Sequence, residues 1–480
     1  MNKILYTILL IVSLGVIQGC GDYLDNPPKG MTIPSKYEDY EKLLNNGSFI
    51  SASNGDLEYL TDNVHLINAD QTASSYIYIN KYNNIQNMYT FAPGQIEVAG
   101  SSDATWNSAY DRLFTLNTII NNVMTSAGGT EQKKLQVKAE ALFARAFEYF
   151  NLVNTYGVQY DKGTAATDYG VPYIKAGDIN LKYTRQTVAE VYENIFADLK
   201  EAESGLAELV AYTTHPNKAA AYSFYARIYL TMGEYAKALE NANLALKSND
   251  KLLNLNDYMM QDGTTWDRVV LKSDKTKRLP DVDHPEANYT KFLSGGLQGS
   301  VMINKEFRDL FKKDVPAGAK DLRKEYFYAE DVVRLGSNPD YFPGECAFVL
   351  YANQNVGFTS TENYLIAAEC EARIGSKDRA MELISKLRDY RFENNVALTA
   401  SSNEEALVKV LDERRRELAM KGFRLFDLKR LNKDSKFAKN VVHTADGETW
   451  TLAPNDPKYI LPINQEILDF NPDMPQYDRK

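Results

Sequence analysis

Residues 221–247, AYSFYARIYLTMGEYAKALENANLALK, constrain this chain more than any other stretch. Apolar and small residues recur there at helical spacing on both sides of Met232-Gly233-Glu234. Gly233 has no Cβ and can take the positive φ that ends a helix and turns the chain back. The spacing therefore predicts two short helices joined by a tight turn. Ala226 and Ala238 let the two helices approach closely, and Tyr229 and Tyr235 fill the gaps beside the turn.

The same small-residue spacing recurs at Ala368, Gly375 and Ala380 in YLIAAECEARIGSKDRAMELISKL. Each copy resembles a tetratricopeptide (TPR) unit, whose repeat of about 34 residues is a helical hairpin. A lone hairpin cannot bury its apolar face, so further helices must stack on these two. The rest of the chain supplies them. Periodicity predicts a short helix over Tyr37–Asn45 and longer ones over Ser101–Asn122, Glu131–Tyr156, Thr184–Leu209 and Asn403–Leu431. Thr187 and Glu190 have the spacing of a capping box, and Gly422 marks a break in the last helix. Between Ser248 and Thr361 the helical period fades into Gly, Pro, Asp, Asn and aromatic residues, the composition of a loop-rich functional region. Residues 74–81 alternate instead, with Ile77 and Ile79 on one face and Tyr76, Tyr78 and Asn80 on the other, which predicts a strand.

The first 19 residues, MNKILYTILLIVSLGVIQG, carry Lys3 and then an apolar run too short for a comfortable membrane span, as in a secretory leader. Ile17-Gln18-Gly19-Cys20 resembles a bacterial lipobox, with Gln18 off the usual small residue. Cleavage there leaves the Cys20 thiol to be acylated, and two or three buried acyl chains make a stable anchor. Asp22 and Asp25 behind it resemble acidic export signals of surface lipoproteins, and residues 20–34 read as a Pro- and Gly-rich tether. Cys370 reads as a buried free thiol inside its helix.

The formal charge is −10, and −11 without Lys3. An acidic surface gives no footprint for a phosphate backbone. Arg414-Arg415-Arg416 lies between Glu413 and Glu417 and reads as a structural ion-pair cluster rather than a site. The chain has no HExxH, P-loop, Gly-x-Ser-x-Gly or strand-linked GxGxxG motif.

Several segments together resemble the SusD/RagB family of outer-membrane nutrient-binding lipoproteins, over nearly the whole chain. Tyr23-Leu24-Asp25 precedes Pro27-Pro28 behind the cysteine; Trp106, Tyr110 and Asn117 mark the early helix; Arg145-Ala146-Phe147 precede Tyr156-Gly157. The most specific segment is Glu413–Arg430, ERRRELAMKGFRLFDLKR, where the family has ERRRELAFEGHRWFDLKR. Pro462-Ile463-Asn464, Glu466, Asn471-Pro472 and Gln476-Tyr477 take the places of the family's ending. Lys421, Phe423, Leu425 and Asn464 depart from the pattern and read as packing or ion-pair changes.

The resemblance implies a mostly α fold, with a TPR-like helical hairpin scaffold beside an irregular, loop-rich α/β ligand-binding subdomain. Residues 35–480 then form one domain, with helical parts at about 101–247 and 361–432 and a ligand region at about 50–100 and 248–360. It also implies a role without catalysis: an outer-membrane, cell-surface protein, held by its lipid, that passes an oligosaccharide to a SusC-like, TonB-dependent transporter. Alternatives are a peptide-binding lid of the same type, a gating adaptor with weak affinity of its own, and a hydrolase.

Sugar rings need flat apolar faces, and their hydroxyls need amides and guanidinium groups at the rim. Two stretches offer these. One holds Tyr76, Tyr78, Tyr82, Asn84 and Tyr89; the other holds Trp266, Arg268, Tyr289 and Phe292. Trp106 reads as core, Trp450 as either core or platform, and Asp281, Asp283 and His284 as a solvated loop more than a cation site. No cofactor is implied.

Overall fold

The computed structural model describes residues 34–52, 55–68, 84–176, 183–261, 269–279, 284–293, 300–332, 341–349 and 355–480. The leader and Cys20, the predicted strand at 74–81, and Trp266, Arg268, Asp281 and Asp283 lie outside them.

The opening hairpin is present as Lys218–Met232 and Tyr235–Ser248. Gly233 sits between them at φ +76°, and a Cβ built there would touch nothing, so glycine is required by backbone conformation alone. Ala226 and Ala238 are fully buried where the helices meet, with Tyr229 and Tyr235 partly buried around them. The second hairpin is Ser360–Ile374 and Lys377–Asp389. Gly375 has φ −126°, so this turn does not use the left-handed conformation of the first. Ser360–Ile374 packs on Tyr235–Ser248 and on Asn403–Leu418, which joins the hairpins into one helical stack. Leu365, Ile384, Leu387 and Val410 fill the seam.

At the other end of the stack, Glu131–Tyr156 runs between Ala104–Asn122 and Val188–Ala202. Every residue from Ala139 to Phe150 is buried, so each charge on it must be paired inside the protein. Arg145 pairs with Asp198 (2.6 and 2.7 Å), Glu148 with Arg112 (2.7 and 3.0 Å) and Glu140 with His215 (2.7 Å). Phe143, Phe147 and Phe150 from the same helix meet Phe224 edge-on in the main core. The predicted helix over Thr184–Leu209 is shorter, at Val188–Ala202. The Thr187–Glu190 capping box starts it, and Ser204-Gly205 lies just past its end. Gly205 lies so close to Glu131–Tyr156 that a Cβ there would sit 2.6 Å from the Leu135 carbonyl oxygen.

The last helical segment divides into Asn403–Leu418 and Arg424–Leu431. Met420 (φ +61°) and Gly422 (φ +77°) turn the chain at the break. Trp106 is in the core, against Tyr110 and Tyr156. Cys346 and Cys370 are both buried free thiols.

The region after Ser248 is built of short strands. Tyr341–Val349 pairs antiparallel with Ser300–Met302 on one side and Tyr328–Val332 on the other. Tyr258–Met260, Val269–Leu271 and Asp274–Arg278 make a separate three-stranded sheet over a small apolar cluster with Leu322 and Tyr326. Among the described residues no helix is long and apolar enough to cross a membrane.

Candidate functional site

A groove of about 650 Å³ opens where three segments meet: 65–68, the start of strand Tyr341–Val349, and the tip of a hairpin made by Val441–Ala445 and Glu448–Leu452. Each segment is positioned by local chemistry. The hairpin turns at Asp446-Gly447, both at positive φ (50° and 78°), the geometry favoured for a two-residue connection. Its first strand alternates, burying Val441, His443 and Ala445 and exposing Val442. The Asp446 N–H donates to Asn68 Oδ1 (2.8 Å) and ties the tip to segment 65–68. That segment is fixed from the other side by the His65 N–H, which donates to the Met302 carbonyl (3.1 Å).

The strand pairing of Tyr341–Val349 is irregular between Tyr341 and Cys346, where Pro343-Gly344 interrupts it. The Gly344 N–H turns aside to donate to Asp331 Oδ1 (2.7 Å). The irregularity leaves Tyr341 68% exposed at the mouth of the groove, with Phe342 beside it. Polar groups line the rest: His65, paired to Glu345 (3.1 Å), with Asn68, Glu448 and Thr449. An exposed ring with hydrogen-bonding groups around it suits a ligand that has flat apolar faces and hydroxyls.

The described members of the two predicted stretches behave differently from expectation. Tyr89 is 1% exposed. Residues Asn84–Tyr89 form a helix that buries Ile85, Met88 and Tyr89, so the alternation of residues 76–80 does not extend to them. Tyr89 stacks on His443 (4.1 Å) and its hydroxyl donates to the Thr444 carbonyl (3.2 Å), which makes it the floor of the hairpin and not a platform. Asn84 spends its amide on Glu97 and on the Val98 N–H (3.3 Å), closing the loop that follows its helix. Burial, with Asp103 and Asp56 nearby, pushes Glu97 up to about 7. Tyr289 is 3% exposed, edge-on to Phe143 and Phe147 and stacked on Phe358. Neither Tyr89 nor Tyr289 can offer a face to a ligand. Trp450 is half-buried and meets Tyr89 edge-on (6.3 Å). Tyr76, Tyr78, Tyr82, Trp266 and Arg268 lie outside the described residues.

Tyr341 was not among the expected site residues, and of the hairpin only Trp450 was weighed as a platform. VVHTADGETWTL carried the signal: two alternating runs around Asp-Gly.

The Glu413–Glu417 cluster is structural, as expected. Glu413 is fully buried and bonds Arg323 (2.7 Å), Arg388 (3.0 Å) and Arg416 (2.7 Å). Glu417 bonds Arg323 (2.7 Å) and Arg391 (2.9 Å), Arg323 also bonds Asp321, and Arg391 also bonds Glu286 (2.6 Å). Four arginines thus meet four carboxylates in one connected network between the helical stack and the strand-rich region. Among the described residues there is no group of three or more His, Cys, Asp or Glu arranged to hold a metal ion.

Two family models match this chain. One, described as "Starch-binding associating with outer membrane", covers residues 22–230, and the SusD family model covers residues 351–479. The SusD-like protein P2 of Formosa agariphila is 26% identical, over 97% of this chain and 99% of its own length. Among solved structures, a SusD-like carbohydrate binding protein of Bacteroides vulgatus matches 92% of this chain and 98% of its own, with TM-score 0.62 and 20% identity. Surface glycan-binding protein A of Bacteroides uniformis matches 92% and 100%, with TM-score 0.68 and 18% identity. The structural likenesses establish a shared fold. The chain belongs to the SusD/RagB family, and its fold is the mostly α, TPR-like one of that family.

Proposed function

We propose that this protein captures an oligosaccharide at the cell surface and delivers it to a SusC-like, TonB-dependent transporter, without cleaving a bond. The observation that carries the reading is the groove beside Tyr341. Its wall includes Asn68, eight positions before Tyr76 in the chain. In this reading Tyr76, Tyr78 and Tyr82, and Trp266 with Arg268, contact the ligand as well. Family relatives described as carbohydrate- or glycan-binding support the same ligand class. The lipid on Cys20 holds the protein to the outer membrane, facing outward, and the acidic tether lifts the domain from the surface.

The test is calorimetric titration of residues 21–480 against a panel of host and plant polysaccharides and a peptide mixture. Saturable heat with one glycan class supports the proposal. Heat from peptides alone replaces the glycan with a peptide in the same lid architecture. Silence throughout, repeated in the presence of the transporter, leaves a gating adaptor. Release of shortened sugars on long incubation with pure protein would refute the non-catalytic reading.

A further inference from the structure

The helix break at 419–423 closes over a small cavity of about 90 Å³ on the strand-rich side of the arginine–carboxylate network. That volume accommodates a few waters or a small ion. Its polar lining includes Arg391, Glu417, Glu286, Lys421, His284 and Asn355, beside apolar side chains from the strand-rich region.

The charge balance of this wall is specific. The network already sets four arginines against the carboxylates of Asp321, Glu286, Glu413 and Glu417. Glu417 accepts from both Arg391 and Arg323, and Glu286 accepts from Arg391 (2.6 Å) and the Leu253 N–H (2.7 Å). Lys421 comes on top of that balanced set. Among the described residues it has neither a hydrogen bond nor an ion pair. One positive charge is therefore left over at the cavity.

Two more residues of the lining carry a buried side-chain nitrogen with no hydrogen-bond partner. Asn355 Oδ1 accepts the N–H groups of Lys291 (3.1 Å) and Gly357 (2.9 Å), which fixes the amide's orientation and leaves Nδ2 a buried, unpartnered donor. His284 Nδ1 is buried and lacks a hydrogen bond too, with the Glu286 carboxylate 3.7 Å away. Burial pushes His284 down against the pull of Glu286, with Arg391 and Lys421 adding to the downward shift, which favours the neutral ring, and a neutral imidazole can carry its proton on Nδ1.

We propose that this cavity binds a small, singly charged anion, specifically a carboxylate group, through Lys421 Nζ, Asn355 Nδ2 and His284 Nδ1. The two oxygens of a carboxylate accept from three donors, and its charge matches the single excess cation. A dianion would leave surplus negative charge beside Glu286 and Glu417. The carboxylate can come from a free short-chain acid or from an acidic sugar inserted at the rim. The proposal stands independently of the groove beside Tyr341.

The test uses acetate and methyl glucuronide in calorimetric titrations of the whole chain, alongside thermal unfolding at constant ionic strength with sulfate as the balancing anion. Wild type should bind acetate saturably, and its Tm should climb with acetate concentration, because a ligand of the folded state stabilises it. Lys421→Met should weaken binding at least tenfold. Asn355→Asp keeps the acceptor for Lys291 and Gly357 but replaces the donor with a repelling oxygen, and should lose binding as well. Glucuronide binding with the same Lys421 dependence assigns the acidic sugar as the source; acetate binding alone assigns the free acid. If Lys421→Met does not fold, wild type decides through its pH profile. Glu286, Glu417, Glu362, Arg391 and His284 surround Lys421, and affinity should fall as Lys421 loses its proton on raising the pH. No saturable response in wild type, an unchanged affinity in Lys421→Met, or an affinity that rises with pH overturns the proposal.

Discussion

At the scale of single residues, buried charge sets the terms. Burial alone would push Glu413 up, but Arg323, Arg416 and Arg388 outweigh it and hold the carboxyl at about 2. Replacing one member of such a cluster leaves its partners buried and unpaired, which costs about 3–5 kcal/mol. Glu413→Gln should lower stability by that amount, seen as a shift in denaturant midpoint near neutral pH. Because the folded-state value lies below the unfolded one, the wild-type advantage should shrink as pH falls from about 4.5 towards 2. Lys291 presents the opposite case. It is fully buried, donates to the Phe49 carbonyl, and lies 3.7 Å from Glu148. Burial pushes it down to about 8 against the pull of Glu148. Glu148 keeps its bidentate partner Arg112 when Lys291 is removed. Lys291→Met should therefore change stability by less than about 2 kcal/mol at neutral pH, the main loss being the unpaired Phe49 carbonyl. The sign of its pH dependence is fixed: a lysine depressed by folding penalises the native state below its unfolded value, near 10.4, and the penalty fades as pH rises from about 8. The variant's standing relative to wild type should thus decline between about pH 8 and 10.

At the scale of elements, two glycines separate conformation from contact. Gly233→Ala meets no atom, so it should cost only the left-handed backbone penalty of about 1–2 kcal/mol. Gly205→Ala has no such penalty but drives a methyl into the Leu135 carbonyl and Ala139 Cβ, both under 3 Å away. It should cost more than Gly233→Ala and separate Val188–Ala202 from Glu131–Tyr156, read as loss of amide-exchange protection confined to that pair. The helices themselves were legible because their signals are local: Thr187 with Glu190, Gly233 between two periodic runs, and the small residues Ala226 and Ala238 on facing sides. The groove was less legible for a physical reason. Tyr289 sits between Asn288 and Thr290, polar neighbours that suggest a surface, yet both are buried and hydrogen-bonded, Asn288 to Ser223 (3.0 Å) and Thr290 to Thr213 (2.8 Å). Polarity in sequence marks hydrogen bonding as well as exposure. Tyr341, conversely, is exposed because of an irregular strand pairing with Tyr328–Val332, a partner no local pattern reveals.

At the scale of the whole molecule, the groove and the net charge make two separable predictions. Tyr341→Ala should weaken glycan binding by about 1–3 kcal/mol if the ring stacks, the range of single stacking contacts elsewhere, and Trp266→Ala should do the same if the second stretch engages the ligand. Unchanged calorimetric affinity in either variant removes that ring from the site. The charge argument concerns which glycan arrives. The chain carries −10, and two of its carboxylates, Glu345 and Glu448, line the groove itself, with His65 paired to Glu345. A neutral oligosaccharide feels none of this, so its affinity should be flat as ionic strength rises from about 10 mM to about 1 M, across which the screening length falls from about 30 Å to about 3 Å. A sulfated glycan is repelled at low salt, and its association rate should climb as screening sets in. Surface plasmon resonance at the two salt limits distinguishes the cases. A rate for the sulfated ligand that falls with salt would mean that a local cationic surface outweighs both the net charge and the two groove carboxylates. The ligand-contacting groups would then have to be sought among cations such as Arg268 and not around Tyr341.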